Sequence, residues 1–268
     1  MSRLLEGKVA LVTGSGRGLG NAIACRLAEL GASVAIHDIS QQAPAEFGEH
    51  KDLNDVAEKM QAYGVRTVAV TGDISVEANV QAMTADVIAA LGPIDILVNC
   101  AGGDIAAKGG KPNPNTGLGI KLEDVQALLN RNFIGTLLMC QAVCPGMVER
   151  RTGSVINIAS SAAHVGCSPE VVYSSVKAAI VHFTRCLSKE LRDDNVRVNC
   201  VSPGPTKTGR FVNTRTTDPA MMDEASGLNR YGAPSEVADA VAYFASDMAR
   251  FVNGQVIRVD GGAGLYAA

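Results

Sequence analysis

The chain has 268 residues, 47% of them hydrophobic and 19% charged, with a formal net charge of −3. That is the balance of an ordinary soluble domain and enough length for one large α/β unit. A near-neutral charge argues against a basic surface for nucleic acid, and no apolar run reaches the ~20 residues of a membrane span.

In chain order, Lys8–Thr13 is a nearly continuous apolar run of the kind buried on both faces of a parallel sheet. It breaks at Gly14-Ser-Gly-Arg-Gly-Leu-Gly20, and a helix with Ile23, Leu27 and Leu30 at helical spacing follows, closed by Gly31. A second strand, Ser33–Asp38, completes a strand–turn–helix–strand unit. After a polar stretch of unassigned form, Gln41–Lys51, the pattern repeats: helix Asp52–Tyr63, strand Arg66–Thr71, helix Val76–Leu91, strand Ile94–Asn99. Gly103–Gly119 is irregular and rich in Gly, Pro, Asn and Lys. Glu123–Arg150 predicts a long helix bent near Pro145.

Strand Ser154–Ala159 leads to a helix with Tyr173, Val176, Ile180, Phe183, Leu187 and Leu191. Strand Arg197–Ser202, a polar excursion Thr206–Gly232, helix Ser235–Ser246 and strand Gln255–Val259 end the pattern. Seven strands alternating with helices, with no linker-like break, predict a single doubly wound α/β domain over residues 1–268, its parallel sheet covered on both faces. The segment Met1–Gly7 lacks the marks of a secretory signal, so a cytoplasmic chain is expected. Seven cysteines without a Cys-x-x-Cys pair predict reduced core thiols; four histidines without ligand spacing predict no metal.

The turn after the first strand lies where glycines let backbone approach a pyrophosphate and where helix N–H groups favour its charge. The strict Gly-x-Gly-x-x-Gly pattern is not met, because its third glycine falls on Leu19. Two features nevertheless support a dinucleotide: the surrounding unit, and Asp38 at the end of the second strand, suited to ribose hydroxyls. A carboxylate there repels a 2′-phosphate and favours NAD over NADP. Arg17 is the competing signal, since a guanidinium pairs with phosphate.

Tyr173 and Lys177, four apart, share one helix face. An ammonium beside a phenol favours phenolate and is expected to bring its pKa down from ~10 toward working pH. A hydroxyl at the end of the preceding strand, Ser160 or Ser161, is placed to hydrogen-bond the group on which Tyr173 acts. Alone, such a pair is an ordinary helix-surface neighbourhood.

Together, Thr13–Gly20, Asp73, Asn99-Cys-Ala-Gly102, Asn132, Ser160, Tyr173-x-x-x-Lys177 and Pro203-Gly204 resemble the short-chain dehydrogenase/reductase family over essentially the whole chain. The resemblance implies a Rossmann domain with Tyr173 as general acid/base, Lys177 on the nicotinamide ribose and lowering the Tyr173 pKa, and Ser160 polarising the carbonyl. Ser160 is favoured over Ser161 because it lies 13 positions before Tyr173. Asn132, with Asn130 as the alternative, matches the anchor of a proton-relay water. Cofactor contacts are implied for Gly14, Ser15, Arg17, Gly18, Leu19, Gly20, Asp38, Asp73, Ile74, Asn99, Cys100, Ala101, Gly102, Tyr173, Lys177, Pro203, Gly204, Thr206 and Thr208. Cys100 departs from the family's usual Asn, which puts one sheet-steadying hydrogen bond in doubt. A homo-tetramer is also implied.

The expected function is hydride transfer between NAD(H) and a secondary alcohol or ketone. Gly103–Gly119 and Thr206–Gly232 should shape the substrate side, carrying Asp104 and the cations Lys108, Lys111, Lys207, Arg210 and Arg215. They point to a small polar or acidic substrate. His164 is expected on the loop surface, with substrate contact as the other possibility. The alternatives are an NADPH-dependent 3-oxoacyl reductase, opposed by Asp38, and a non-catalytic NAD-binding regulator, opposed by the intact set Asn132, Ser160, Tyr173 and Lys177.

Overall fold

The apolar run becomes β1 (Val9–Val12), and its side chains alternate between two layers. Val9 and Leu11 enter one apolar cluster, Ala10 and Val12 the other, and none of the four exceeds 5% exposure. A strand buried on both faces needs helices on both sides. The computed structural model, which describes residues 3–265, supplies them.

The strands β2 (Ser33–Asp38), β3 (Thr67–Thr71), β4 (Ile96–Asn99), β5 (Gly153–Ile158), β6 (Val196–Pro203) and β7 (Val256–Val259) join β1 in one parallel sheet, ordered β3-β2-β1-β4-β5-β6-β7. The helices are α1 (Gly18–Glu29), α2 (Leu53–Gln61), α3 (Glu77–Leu91), α4 (Leu122–Leu129), α5 (Gly135–Arg150), α6 (Val171–Glu190), α7 (Gly209–Thr214) and α8 (Pro234–Ala245). Ile23 and Leu27 of α1, Val56 and Met60 of α2, and Val237, Val241 and Phe244 of α8 fill one face. Val80, Met83 and Val87 of α3, Met139 and Val143 of α5, and Leu187 of α6 fill the other. The expected seven-stranded, doubly wound Rossmann arrangement is therefore the one observed.

The structure adds two details to the expected elements. The long helical region Glu123–Arg150 is interrupted by a π turn over Asn130–Ile134, between α4 and α5, and Pro145 lies inside α5. Such turns insert one residue into the helical register, and they concentrate at functional sites. The stretch left without a form after β2 contains a short 3₁₀ turn, Ala43–Phe47.

The strand order reverses between β1 and β4, so the connections leaving their carboxyl ends diverge and open a crevice. Thr13 ties the two ends together. Its hydroxyl accepts from the amides of Cys100 and Ala101, both at 3.0 Å. Gly14 then takes φ +65°, and a Cβ there would lie 2.8 Å from Ala101 Cα. The sheet is steadied beside Cys100 by buried amides: Asn99 Nδ2 donates to Asn157 Oδ1 and Asn157 Nδ2 to Thr184 Oγ1, each at 2.9 Å.

Gly20 is the tightest point of the first turn, where an added Cβ would stand 2.1 Å from the Gly14 carbonyl oxygen. Neither backbone atom can move aside without pulling on β1. Gly20→Ala is expected to lower the thermal midpoint by roughly 5–10 °C in circular-dichroism melting. An unchanged midpoint would contradict this packing.

Candidate active site

The strand β5 ends at Ile158, and the chain turns through Ala159 into Ser160. Ser160 caps a short 3₁₀ turn, Ser161–His164, with its Oγ accepting from the Ala162 amide at 3.2 Å. α6 returns over this edge and presents Tyr173 and Lys177. Lys177 is buried, its Nζ donating to the Ile158 carbonyl at 2.9 Å and lying 5.8 Å from the Tyr173 ring centroid.

Burial pushes the Tyr173 phenol up to about 12; the neighbouring Ser160 hydroxyl opposes this, while the Glu170 and Asp104 carboxylates add to it. The expected lowering by Lys177 is therefore not what the structure gives. Burial likewise pushes Lys177 down to about 8, only partly offset by the Cys100 and Cys200 thiols. An amine taken out of water loses hydration that one carbonyl does not fully replace. The cleft thus holds a protonated phenol at neutral pH, in the state of a proton donor.

Asn132 is fully buried in the π turn and faces neither Tyr173 nor open space. Its Nδ2 donates to the carbonyls of Leu128 and Gly103, and its Oδ1 accepts from the Gly103 amide. It fixes the turn after β4: a Cβ on Gly102 would lie 2.5 Å from Asn132 Oδ1 and 3.5 Å from Lys177 Nζ. Asn130, the alternative, borders the cavity and accepts from Gln126.

The cavity has a volume of about 1110 Å³ and runs continuously from Asp38 to Tyr173. Small-molecule pockets hold ~300–1,000 Å³, so there is space for a dinucleotide and a second molecule. Gly14, Arg17, Gly18, Leu19 and Gly20 line one end, beside Asp38, Asp73 and Ile74. Cys100, Ala101 and Gly102 form the middle, and Pro203, Gly204, Thr206 and Thr208 face the end that holds Ser160, Tyr173 and Lys177.

Ser15 and Asn99 are not among the residues that line this cavity: Ser15 Oγ donates to the Val12 carbonyl and accepts from the His37 amide, and Asn99 Nδ2 donates to Asn157 Oδ1 while its own Oδ1 is buried without a hydrogen-bond partner. A dinucleotide fits this lining: a backbone wall at the glycine turn, a carboxylate at the end of β2, and a buried lysine and a phenol at the far end.

The chain is similar to known proteins along most of its length. The family model described as enoyl-(acyl carrier protein) reductase matches residues 14–264. The chain belongs to the short-chain dehydrogenase/reductase family. Cyclohexanol dehydrogenase of Rhodococcus sp. (strain TK6) is 32% identical over 265 residues, 96% of each chain. The 3-oxoacyl-[acyl-carrier-protein] reductase FabG of Aquifex aeolicus (strain VF5) is 34% identical over 258 residues, 96% of this chain and 98% of that one. A 7α-hydroxysteroid dehydrogenase solved with NADH and 7-oxo glycochenodeoxycholic acid superposes with a TM-score of 0.84 at 31% identity, covering 96% of this chain and 94% of that one. As a member of this family the chain is an oxidoreductase acting on CH–OH groups.

The family's substrate end is here a charged cluster. Asp104 is buried, accepting from Asn115 Nδ2 at 2.9 Å, with Lys111 Nζ 3.6 Å away. Lys111 and Arg215 both pair with Glu170, and Lys207 pairs with Glu224. Of the cations singled out in the sequence, Lys111, Arg210 and Arg215 line the cavity, Lys108 and Lys207 do not. His164 leaves the cavity, its Nε2 lying 2.9 Å from Ser202 Oγ. Sequence reasoning missed Glu46, Phe47 and Glu49, which border the cofactor end from a stretch with no periodicity. Among the described residues no helix is long and apolar enough to cross a membrane, and no group of His, Cys, Asp and Glu could hold a metal ion.

The buried lysine gives a pH signature. Its folded pKa lies below the ordinary lysine value of 10.5, so between about 8 and 10.5 the unfolded chain binds the extra proton. Stability at this residue therefore rises with pH through that window. The unfolding free energy of the wild type minus that of Lys177→Met should increase from pH 7 to pH 9.5 in urea denaturation. A difference independent of pH would show that the amine is not desolvated.

Proposed function

We propose that the chain is an NAD(H)-dependent dehydrogenase or ketone reductase for a small polar secondary alcohol or ketone. One observation supports this most: Ser160, Tyr173 and Lys177 meet at one end of a cavity whose other end is the glycine turn and Asp38. A nicotinamide bound there supplies the hydride acceptor or donor.

The chain's own groups handle the oxygen. The Ser160 hydroxyl donates to the substrate oxygen and holds it against the Tyr173 phenol. Tyr173 delivers its proton to that oxygen in reduction and removes it in oxidation. In oxidation the phenol must first ionise, which the Ser160 hydroxyl and the Arg215 charge favour against its burial. Asn132 contributes by position: it clamps Gly103 and so shapes the turn against which Lys177 packs. In this reading the relay water would be anchored by backbone of the π turn rather than by the Asn132 amide.

Asp38 supports NAD over NADP. It is buried, its Oδ1 accepting from the Ile39 amide at 2.8 Å, which leaves its other oxygen for a ribose hydroxyl. The Aquifex relative favours the second reading, a 3-oxoacyl reductase, which Asp38 opposes. The polar substrate is supported by Asp104, Lys111, Glu170 and Arg215, which line the catalytic end where an apolar substrate would need hydrocarbon. With Lys111 and Arg215 neutralised by Glu170, hydroxylated substrates fit this end better than acidic ones.

The reading includes a homo-tetramer, supported by the fully exposed Phe251 and 65% exposed Met248 just before the edge strand β7. A cytoplasmic setting is supported by seven unpaired cysteines.

A panel of secondary alcohols, diols and ketones followed by NADH and NADPH absorbance tests the proposal. Turnover is expected with NAD(H), at least tenfold faster in kcat/KM than with NADP(H), and best on small hydroxylated substrates. Preference for NADPH with long acyl thioesters would favour the reductase reading instead.

A further inference from the structure

The turn between β2 and α2 folds back over the cofactor end of the cleft. Pro44 is buried there. A Cβ placed on Gly16 would lie 2.7 Å from Asp38 Oδ2 and 2.8 Å from Pro44 Cγ, so carboxylate and proline ring both stand close to the glycine backbone. Arg17, the one cation of the glycine turn, forms an ion pair with Glu46 and lies 4.9 Å over the Phe47 ring. Arg210 reaches the same ring from α7 at 5.9 Å. Glu49 pins the end of the turn, accepting from the Gly18 amide at 2.7 Å. Negative charge is favoured at that helix start, which explains the anchor.

We propose that this strap, residues 43–49, is a second determinant of cofactor choice, in which Glu46 occupies Arg17 and Pro44 walls off the ribose so that the 2′-phosphate of NADP(H) is excluded. The inference rests on the reading of Asp38 as the ribose ligand. A ribose held by Asp38 carries its 2′-oxygen beside that carboxylate. A phosphate there meets Pro44 on one side and must turn toward Arg17 on the other. Arg17 is the residue expected to recruit such a phosphate. In this chain its charge is already balanced by Glu46 and its face covered by Phe47, so a dianion that turns toward it meets the Asp38 and Glu46 carboxylates beside a guanidinium that is already paired. NAD(H), which lacks the 2′-phosphate, does not meet Glu46 and Pro44 in this way, while the Glu49 contact to the Gly18 amide bears on both cofactors alike.

Glu46 is more than half exposed, so its replacement leaves the core untouched. The test measures dissociation constants of NADH and NADPH by isothermal titration calorimetry in wild type, Glu46→Gln, Glu46→Lys and a control, Glu58→Gln on the exposed face of α2. Glu46→Gln should tighten NADPH by about 5- to 20-fold, and Glu46→Lys by more, in proportion to the charge removed or reversed beside a dianion. NADH should change less than twofold in both, and Glu58→Gln should move neither constant. The gain should shrink at high salt, as for any partly exposed charge. NADPH affinity unchanged in both Glu46 variants, or NADH and NADPH shifting together, would overturn the proposal while leaving the NAD reading intact. A wild type that binds NADPH as tightly as NADH would overturn both.

Discussion

The buried amine of Lys177 is the constraint on which the catalytic end depends. It lies at the carboxyl edge of the sheet, where its one protein acceptor is the last carbonyl of β5. Burying an ammonium is costly, and the depressed pKa expresses that cost. The surroundings are arranged around it. The turn after β4 is glycine at Gly102, where Asn132 Oδ1 crowds the position of a Cβ and Lys177 Nζ stands in contact with it. The π turn aims Asn132 at Gly103 instead of at solvent. The position of Tyr173 on α6 follows from the same helix face.

The phenol is governed by the same balance of burial and charge. In the open cleft, burial dominates and keeps the proton on Tyr173. Lys177 does not reverse that by itself, since its amine is half a nanometre from the ring and poorly hydrated. Ionisation needs further positive charge or a better-ordered route for the proton. In the proposed reaction a nicotinamide bound beside Tyr173 would supply that charge.

Much of this was legible in the sequence. The continuous apolar run at Val9–Val12, the glycine turn, and the four-residue spacing of Tyr173 and Lys177 are local signals, and local signals survive without coordinates. The roles of Ser15, Asn99 and Asn132 were not legible. All three stand at motif positions, yet their side chains bond buried backbone or, for Asn99, the Asn157 amide on the next strand, which depends on what packs beside them. The π turn at Asn130–Ile134 was not legible because a proline is visible in a sequence and a π insertion is not. Glu46, Phe47 and Glu49 escaped for a related reason: a short 3₁₀ turn has no hydrophobic period, and its partners Arg17 and Gly18 lie about thirty positions earlier.

The account stands on Tyr173 as the proton carrier of a dinucleotide-dependent reaction. The most direct test compares wild type and Tyr173→Phe in two assays on the same preparations, NADH binding by calorimetry and steady-state turnover on the best alcohol found. Loss of a positioned acid/base costs about 10²–10⁴ in rate. The account predicts that kcat falls by that much while NADH binding stays within threefold. Turnover within threefold of wild type in Tyr173→Phe would contradict it.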